Sequence, residues 1–299
     1  MLVAVYFIFE CFSVFRRIDY FAFALIFVFS VNSLINFAHG SGVPAFSFVE
    51  HFKADNINEN LGPNPYRNSF LSSSGYFSAG TAYAIAFLFL SFYFVTFRLK
   101  GLSHKLLFYS GLALMFISGV MAARTSFLGF IAGLALMAKR SPFSTLSLLF
   151  VFVIVLMAIY NFFEEVELYL SWVLLFFTEF LDNSSAQHLI GEMYFWPGDN
   201  VFFIGSGFVN NGDFAYTDSG YMKDILFGGV FYLLSKLLIL FYIIYRFIKV
   251  SPLLAFLIFI VVIVFNFKGQ FLFNNSTGMA VLYSVFFALV SFHNIRNKV

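Results

Sequence analysis

Long apolar segments, separated by short charged clusters, constrain this chain more than any other feature. A helix needs about 20 apolar residues to cross a bilayer, so nine such helices would use about 180 of the 299 residues. The segments lie at about 1–15, 18–37, 78–97, 106–122, 126–138, 142–162, 220–245, 251–267 and 278–293. The sequence therefore predicts an all-α, polytopic integral membrane protein with about nine transmembrane helices in one transmembrane domain over residues 1–299.

Composition narrows the possible functions. Charged residues make up 11% of the chain, against about 25% in soluble proteins. Cys11 is the single cysteine, and no CxxC, HExxH or P-loop motif occurs, so we expect no disulfide, no metal and no cofactor. The net charge of +2 does not indicate a nucleic-acid partner, because basic residues in a membrane protein mainly record its topology.

Most Lys and Arg residues lie in every second connection between the apolar segments, and this alternation predicts the orientation of the helices. Eleven of the 17 Lys and Arg residues fall on every second connection, which marks the cytoplasmic side. These residues are Arg16, Arg17, Arg98, Lys100, Lys105, Lys139, Arg140, Arg246, Lys249, Arg296 and Lys298. The amino terminus and the remaining connections are therefore expected outside the cytoplasm.

Two of the predicted extracytoplasmic segments are large. The first, 38–77, is rich in Asn, Gly, Ser and Pro at its start, which is typical of a loop. The second, 163–219, carries nine acidic residues and neither Lys nor Arg. Within it, residues 168–177 are apolar but too few to cross a bilayer, which predicts an interfacial helix on the outer leaflet.

Arg124 stands out because of its distance from the next basic cluster. A helix of 15 residues, from Arg124 to Lys139, covers about 22 Å of a hydrocarbon core that is about 30 Å thick. The turn at Arg124 is therefore expected to stop short of the outer surface, where a guanidinium needs water or an anion. The alternative is an arginine that extends its side chain to the outer headgroups.

A glycine-rich string before the third-last span is the second candidate site. It contains Gly205-Ser-Gly207, then Asp218 and Tyr221, then Gly228-Gly229. Glycines let a backbone approach a ligand, and Asp218 with Tyr221 would supply hydrogen-bonding groups. A plain turn before a helix, capped by Asp218 or Ser219, explains the same residues.

Three motifs in this order resemble those of a known family. They are residues 67–77 (RNSFLSSSGYF), residues 118–129 (SGVMAARTSFLG), and the Gly205-Ser-Gly207, Tyr216-Thr-Asp218-Ser-Gly-Tyr221 and Gly228-Gly229-Val string. They are similar to those of the Wzy-type repeat-unit polymerases of O-antigen and capsular polysaccharide, in the O-antigen polymerase and ligase superfamily. The ligases typically carry a His-Asn pair where this chain has Asp218-Ser219.

The resemblance implies glycosyl transfer on the outer face of the bacterial inner membrane. A glycan on undecaprenyl diphosphate would be moved onto the next lipid-linked repeat unit without a metal or cofactor. The implied partners are this lipid-linked oligosaccharide, the bilayer, and chain-length regulator and flippase proteins.

The resemblance also suggests roles for individual residues. Arg124 and Arg67, with Lys223 as helper, would bind the leaving diphosphate, because guanidinium groups bind phosphate oxygens bidentately. Asp218, or otherwise His188, would take the proton of the sugar hydroxyl. For His188, an ordinary loop histidine is the favoured explanation. The residues expected to contact the glycan are Tyr221, Gly205, Gly207 and Trp196. Many relatives carry an Arg upstream of the Gly-x-Gly, and this chain has none there.

Lys236 is predicted near the middle of a span, about 15 Å from Arg246 along a helix. We expect it to form a structural ion pair, with Glu10 in the first span as partner, or else to lie near the lipid substrate.

Two alternatives to the polymerase remain open from the sequence. An O-antigen ligase would share the fold but use a different acceptor. A lipid-linked glycan flippase or another transporter would need charged residues through the bundle, where only Glu10 and Lys236 are clearly intramembrane.

Overall fold

The computed structural model describes residues 18–52, 71, 75–97, 101–162, 191–207, 217–273 and 275–296. Across these residues the chain forms helices and turns, with no strand among them. This confirms the prediction of an all-α fold. The predicted first span, the predicted interfacial helix at 168–177, and two candidate site residues, Arg67 and His188, lie outside the described residues.

The helices belong to two compact units. The first unit contains α1 (Ile18–Gly40), a 3₁₀ helix (Pro44–Phe52), α2 (Tyr76–Thr96), α3 (Leu102–Ala122), a short 3₁₀ turn (Arg124–Ser126), α4 (Phe127–Arg140), α5 (Pro142–Phe162) and, after the second unit, α9 (Ser276–Arg296). The second unit contains α6 (Asp199–Ile204), α7 (Gly220–Ile248) and α8 (Pro252–Lys268).

Five of these helices, α1, α2, α3, α5 and α7, are long and apolar enough to cross a membrane. Two shorter apolar helices are α8 and the Ser276–Ser291 part of α9. Each predicted apolar segment after the first coincides with a helix. The architecture is that of a helical membrane protein, and the total of nine spans stays a prediction.

Helix α2 is the centre of the first unit, and small residues let its neighbours approach it closely. A Cβ atom added to Gly129 of α4 would lie 2.5 Å from the Cβ of Ala84 in α2. A Cβ added to Gly133, one turn later, would meet the ring of Phe87 at 2.8 Å. Close backbone approach at small residues is the usual way in which membrane helices pack, because lipid offers no hydrophobic driving force between them.

Phenylalanine rings fill the space between α2, α3 and α4. The ring of Phe130 lies 4.9 Å from that of Phe87 and 4.8 Å from that of Phe116, measured between centroids. The first pair is edge-to-face, an arrangement that favours aromatic pairs beyond their burial. These contacts hold α4, and with it the turn that precedes it, against α2 and α3.

Helix α7 of the second unit is broken in its first half. Gly228 and Gly229 have non-helical backbone angles, and the φ of 71° at Gly229 lies in the left-handed region that favours glycine. Such a break removes helical hydrogen bonds to the preceding carbonyls. Here the Ser206 and Gly207 amides donate to the Leu226 and Phe227 carbonyls, at 2.7 and 2.9 Å, so the segment after α6 replaces the lost donors.

Candidate functional site

Arg124 lies in the short 3₁₀ turn between α3 and α4, in the first unit. Its side chain is half-buried, and burial lowers the pKa of its guanidinium, which still remains charged near neutral pH. Helix α4 has 14 residues and ends with Lys139 and Arg140, so it is about 21 Å long. This agrees with the short helix expected between Arg124 and the basic cluster.

The packing of α2 sets the position of this turn. A Cβ atom added to Gly80 of α2 would lie 2.5 Å from the Cβ of Ala123, the residue before Arg124. Ala123 has an extended backbone, which ends α3 and starts the turn. Gly80 therefore brings α2 against the backbone beside Arg124.

Asp218 and Lys223 are brought together at the start of α7. Lys223 Nζ lies 3.7 Å from Asp218 Oδ1, and the side chains are 19% and 39% exposed, respectively. An ion pair at this separation and exposure contributes little to stability.

The N-terminus of α7 is capped by Ser219. The Ser219 hydroxyl accepts a hydrogen bond from the Met222 amide at 3.4 Å. Thr217 supports the turn, since its hydroxyl accepts from the Ser219 amide at 3.1 Å and donates to the Met193 carbonyl at 2.8 Å. Of the two caps that the sequence left open, the structure therefore selects Ser219, and Asp218 is not needed for this role.

Gly205 and Gly207 approach α7. Both have positive φ angles, 80° and 78°. A Cβ added to Gly205 would lie 2.5 Å from the carbonyl oxygen of Phe227, whereas one added to Gly207 would meet nothing within 4 Å. The requirement for glycine at 205 thus comes from packing on the broken helix, and the approach to a ligand that the sequence suggested stays a prediction.

The aromatic candidates differ in what they offer a ligand. The Tyr221 hydroxyl donates to the Ile263 carbonyl of α8 at 3.0 Å, which ties the start of α7 to α8. Trp196 is 63% exposed and stacks on Phe202, with centroids 4.6 Å apart. An exposed indole of this kind can contact the apolar face of a sugar ring.

Tyr194 lies on the same segment as Trp196. Its hydroxyl donates to the Phe267 carbonyl at 3.0 Å, and its ring stacks on the Phe267 ring at 4.9 Å. Burial raises the pKa of Tyr194, and a hydrogen bond with Ser219 opposes this shift. The segment before α6 is therefore attached to the start of α7 and the end of α8.

The sequence interpretation missed a group of buried polar side chains around Lys236 in the second unit. Lys236 Nζ donates to Asp224 Oδ1 at 2.7 Å, Gln270 Nε2 donates to the same oxygen at 3.2 Å, and Lys236 Nζ lies 4.5 Å from the centre of the Tyr232 ring. The partner that the structure shows for Lys236 is Asp224, whereas the expected partner, Glu10, lies outside the described residues. In an unbroken helix, 12 residues span about 18 Å, so the spacing of Asp224 and Lys236 gave no signal for this pair; the two side chains meet across the break at Gly228 and Gly229.

The predicted site residues are thus divided between the two units. Arg124 belongs to the first, and the second holds Asp218, Lys223, Tyr221, Gly205, Gly207 and Trp196. Within the described ranges, no group of three or more His, Cys, Asp or Glu residues is placed to hold a metal ion.

Comparison of the chain with models of protein families, with curated proteins and with solved structures finds no match.

Proposed function

We propose that this protein is an oligosaccharide repeat-unit polymerase of the bacterial inner membrane. It joins undecaprenyl-diphosphate-linked repeat units into O-antigen or capsular polysaccharide on the outer face. The observation that carries the proposal is the place of Arg124, in a turn between the long apolar helix α3 and the 14-residue helix α4, which ends with Lys139 and Arg140. The motif resemblance around this residue supplies the reaction class.

The position of Arg124 suits an anionic ligand. A guanidinium within a membrane bundle is costly unless it meets an anion or water. Its planar fork matches two oxygens of a phosphate, and a half-buried site strengthens that interaction because the surrounding dielectric constant is low. Arg124 would bind the diphosphate and stabilise its charge as it leaves.

The proposed transfer needs one proton acceptor. A hydroxyl oxygen of the incoming repeat unit attacks the anomeric carbon of the growing glycan, and the bond between that carbon and the phosphate oxygen breaks. The electron pair of this bond leaves with undecaprenyl diphosphate, and the hydroxyl proton passes to a carboxylate. Asp218 is suited to this role because it is partly exposed, beside Lys223, and not required as the cap of α7.

Sugar recognition would fall to the segment before α6. Trp196 supplies an exposed aromatic face, and Tyr194 attaches the segment to α8. On the other side of α6, the backbone at Gly205 and Gly207 packs on α7. Trp196 and Asp218 thus belong to one unit of the protein.

The decisive experiment is the surface glycan of a deletion strain, complemented with the wild-type protein or with Arg124→Ala. A polymerase deletion leaves single repeat units on the surface, and only the wild-type protein restores long chains. Polymer stranded on its lipid carrier would instead indicate a ligase. Loss of both polymer and single units from the surface would indicate a flippase, and an unchanged glycan would contradict all three.

A further inference from the structure

Several buried polar side chains lie near one end of the first unit. Asn32 and Asn36 lie on α1, and Thr125 and Ser126 lie in the turn that contains Arg124. Asn32, Asn36 and Ser126 are each less than 5% exposed. We refer to Asn32, Asn36, Thr125 and Ser126 as the polar cluster.

The contacts between α1 and α2 show at which height along the helix bundle Asn32 and Asn36 lie; we call this height their level. Asp19 accepts a hydrogen bond from Tyr93 at 2.6 Å, and further along α1, Asn32 donates to the Tyr83 hydroxyl at 2.6 Å. The two helices therefore run antiparallel. Asn36, one turn beyond Asn32, lies level with the α2 turn before Tyr83, which contains Gly80.

The contacts of α3 place the Arg124 turn at the same level. A Cβ on Gly119 would meet the Cβ of Tyr83 at 2.8 Å, and a Cβ on Gly80 would meet that of Ala123 at 2.5 Å. Phe37, next to Asn36, packs in one buried cluster with Met121 of α3. Asn36 and the turn at 124–126 therefore lie at the same level of the bundle.

Each member of the polar cluster has a buried atom with an unmet hydrogen-bonding requirement. Within the part of the chain that the structure describes, Asn32 Oδ1, Asn36 Oδ1, Thr125 Oγ1 and Ser126 Oγ have no hydrogen-bond partner. Buried polar atoms are almost always paired, and lipid supplies no replacement partner. Four such atoms near one level of a membrane bundle therefore indicate a ligand or water that completes them.

The chemistry of these atoms limits what the ligand can be. The amide oxygens accept only, so an anion alone cannot satisfy them. A cation is disfavoured because Arg124 is at the same level. A hydroxyl group both donates and accepts, so it satisfies amides and Ser or Thr hydroxyls alike. If the amide group of an asparagine is rotated by 180°, its nitrogen takes the place of the unpaired oxygen and becomes the donor. A sugar hydroxyl can accept a hydrogen bond from that nitrogen as well.

We infer that the polar cluster is a subsite for sugar hydroxyls, next to the phosphate position of Arg124. This rests on the proposed function, because the ligand that combines hydroxyls with a phosphate there is the lipid-linked glycan. The cluster binds the sugar nearest the diphosphate, and its unpaired atoms lower the stability of the empty protein.

The test uses the full-length protein in lipid nanodiscs and two probes. One is the free repeat-unit oligosaccharide, released by mild acid from the lipid-linked material of the deletion strain. The other is inorganic pyrophosphate. Asn36→Leu should lower the affinity for the oligosaccharide at least about tenfold and leave that for pyrophosphate within twofold. Its Tm should be equal to or above that of the wild type, because an unpaired polar group has been removed.

A matched control lies on the same helix. Leu34 is 50% exposed on the outer face of α1, so Leu34→Ala should change neither affinity. Unchanged oligosaccharide affinity in Asn36→Leu would overturn the inference and leave water as the occupant. A lower Tm with unchanged affinity would make Asn36 a structural residue and would also overturn it.

A second measurement decides the matter if Asn36→Leu does not fold. In a Cys11→Ala background, Asn36→Cys should react with a small membrane-impermeant thiol reagent, and saturating oligosaccharide should slow that reaction at least about tenfold. Absence of reaction or of protection would overturn the inference. Protection by the oligosaccharide without binding of pyrophosphate would support the subsite and contradict the diphosphate role of Arg124, so the two failures are distinguishable.

Discussion

Lys236 and Asp224 form a buried ion pair across the break in α7, with Nζ 2.7 Å from Oδ1 and both side chains at most 4% exposed. The pair connects the turn before Gly228-Gly229 with the helix after it. Within the described residues, Asp224 Oδ2 has no hydrogen-bond partner, so the second oxygen adds a desolvation cost. The pair therefore contributes mainly to the geometry of the broken helix.

Removing one partner of this pair should destabilise the protein strongly. Lys236→Met leaves a buried carboxylate, and we expect a loss of about 3–5 kcal/mol in the free energy of unfolding. The double variant Asp224→Asn/Lys236→Met should recover most of it, since no uncompensated charge remains. Thermal unfolding in detergent measures both. Lys223→Met, at the exposed pair with Asp218, is the control and should cost no more than about 1 kcal/mol.

Gly229 and Gly207 provide a matched pair of substitutions. Both have positive φ, but a Cβ at Gly229 would collide with the backbone of Phe203, whereas a Cβ at Gly207 meets nothing within 4 Å. Gly207→Ala should cost about 1–2 kcal/mol from its backbone conformation alone. Gly229→Ala should cost clearly more, because α6 must also move. Equal Tm values for the two variants would contradict the packing of α6 on the break.

Two substitutions of Arg124 distinguish a need for positive charge from a need for the guanidinium geometry. If it binds the diphosphate through two parallel hydrogen bonds, Arg124→Lys keeps the charge but loses the fork, and should be almost as inactive as Arg124→Ala. The length distribution of the surface glycan measures the effect, with membrane levels of the protein as control. Wild-type polymer from both variants would exclude the diphosphate role, and polymer from the lysine variant alone would indicate a need for charge only.

Asp218→Asn tests the proposed base. The substitution keeps the size of the side chain but removes its basicity, so the rate of polymer formation should fall about 10²–10⁴-fold. Because Ser219 caps α7, the helix and the protein level should be unaffected. The control is Ser219→Ala, which should reduce stability by about 1 kcal/mol. Normal chain lengths in Asp218→Asn would show that another group accepts the proton.

The alternation of basic residues predicts the orientation of the site. Reporter fusions after Arg140 and after Arg246 should give cytoplasmic signals, and a fusion near Asn210 an extracytoplasmic one. A cytoplasmic signal at Asn210 would place Asp218 and Trp196 on the wrong face for the proposed reaction.

The sequence alone determined the helices and much of their extent. The apolar segment predicted at 142–162 is the helix Pro142–Phe162, and the short segment before Lys139-Arg140 is the 14-residue helix α4. Membrane spans are readable in this way because each helix must satisfy its own backbone hydrogen bonds and cover them with apolar side chains. The short length of α4 after Arg124 was readable for the same reason, since helix length follows from residue count.

The tertiary structure alone decided what the polar residues contact. Asp224 pairs with Lys236, Gly205 packs on Phe227 of α7, and Asn32 donates to Tyr83 of α2. Hydropathy is a property of each segment by itself, and it cannot tell which face of one helix meets which face of another. That choice depends on how side chains from distant parts of the chain fit together, as where Gly80 lets α2 approach the backbone beside Arg124.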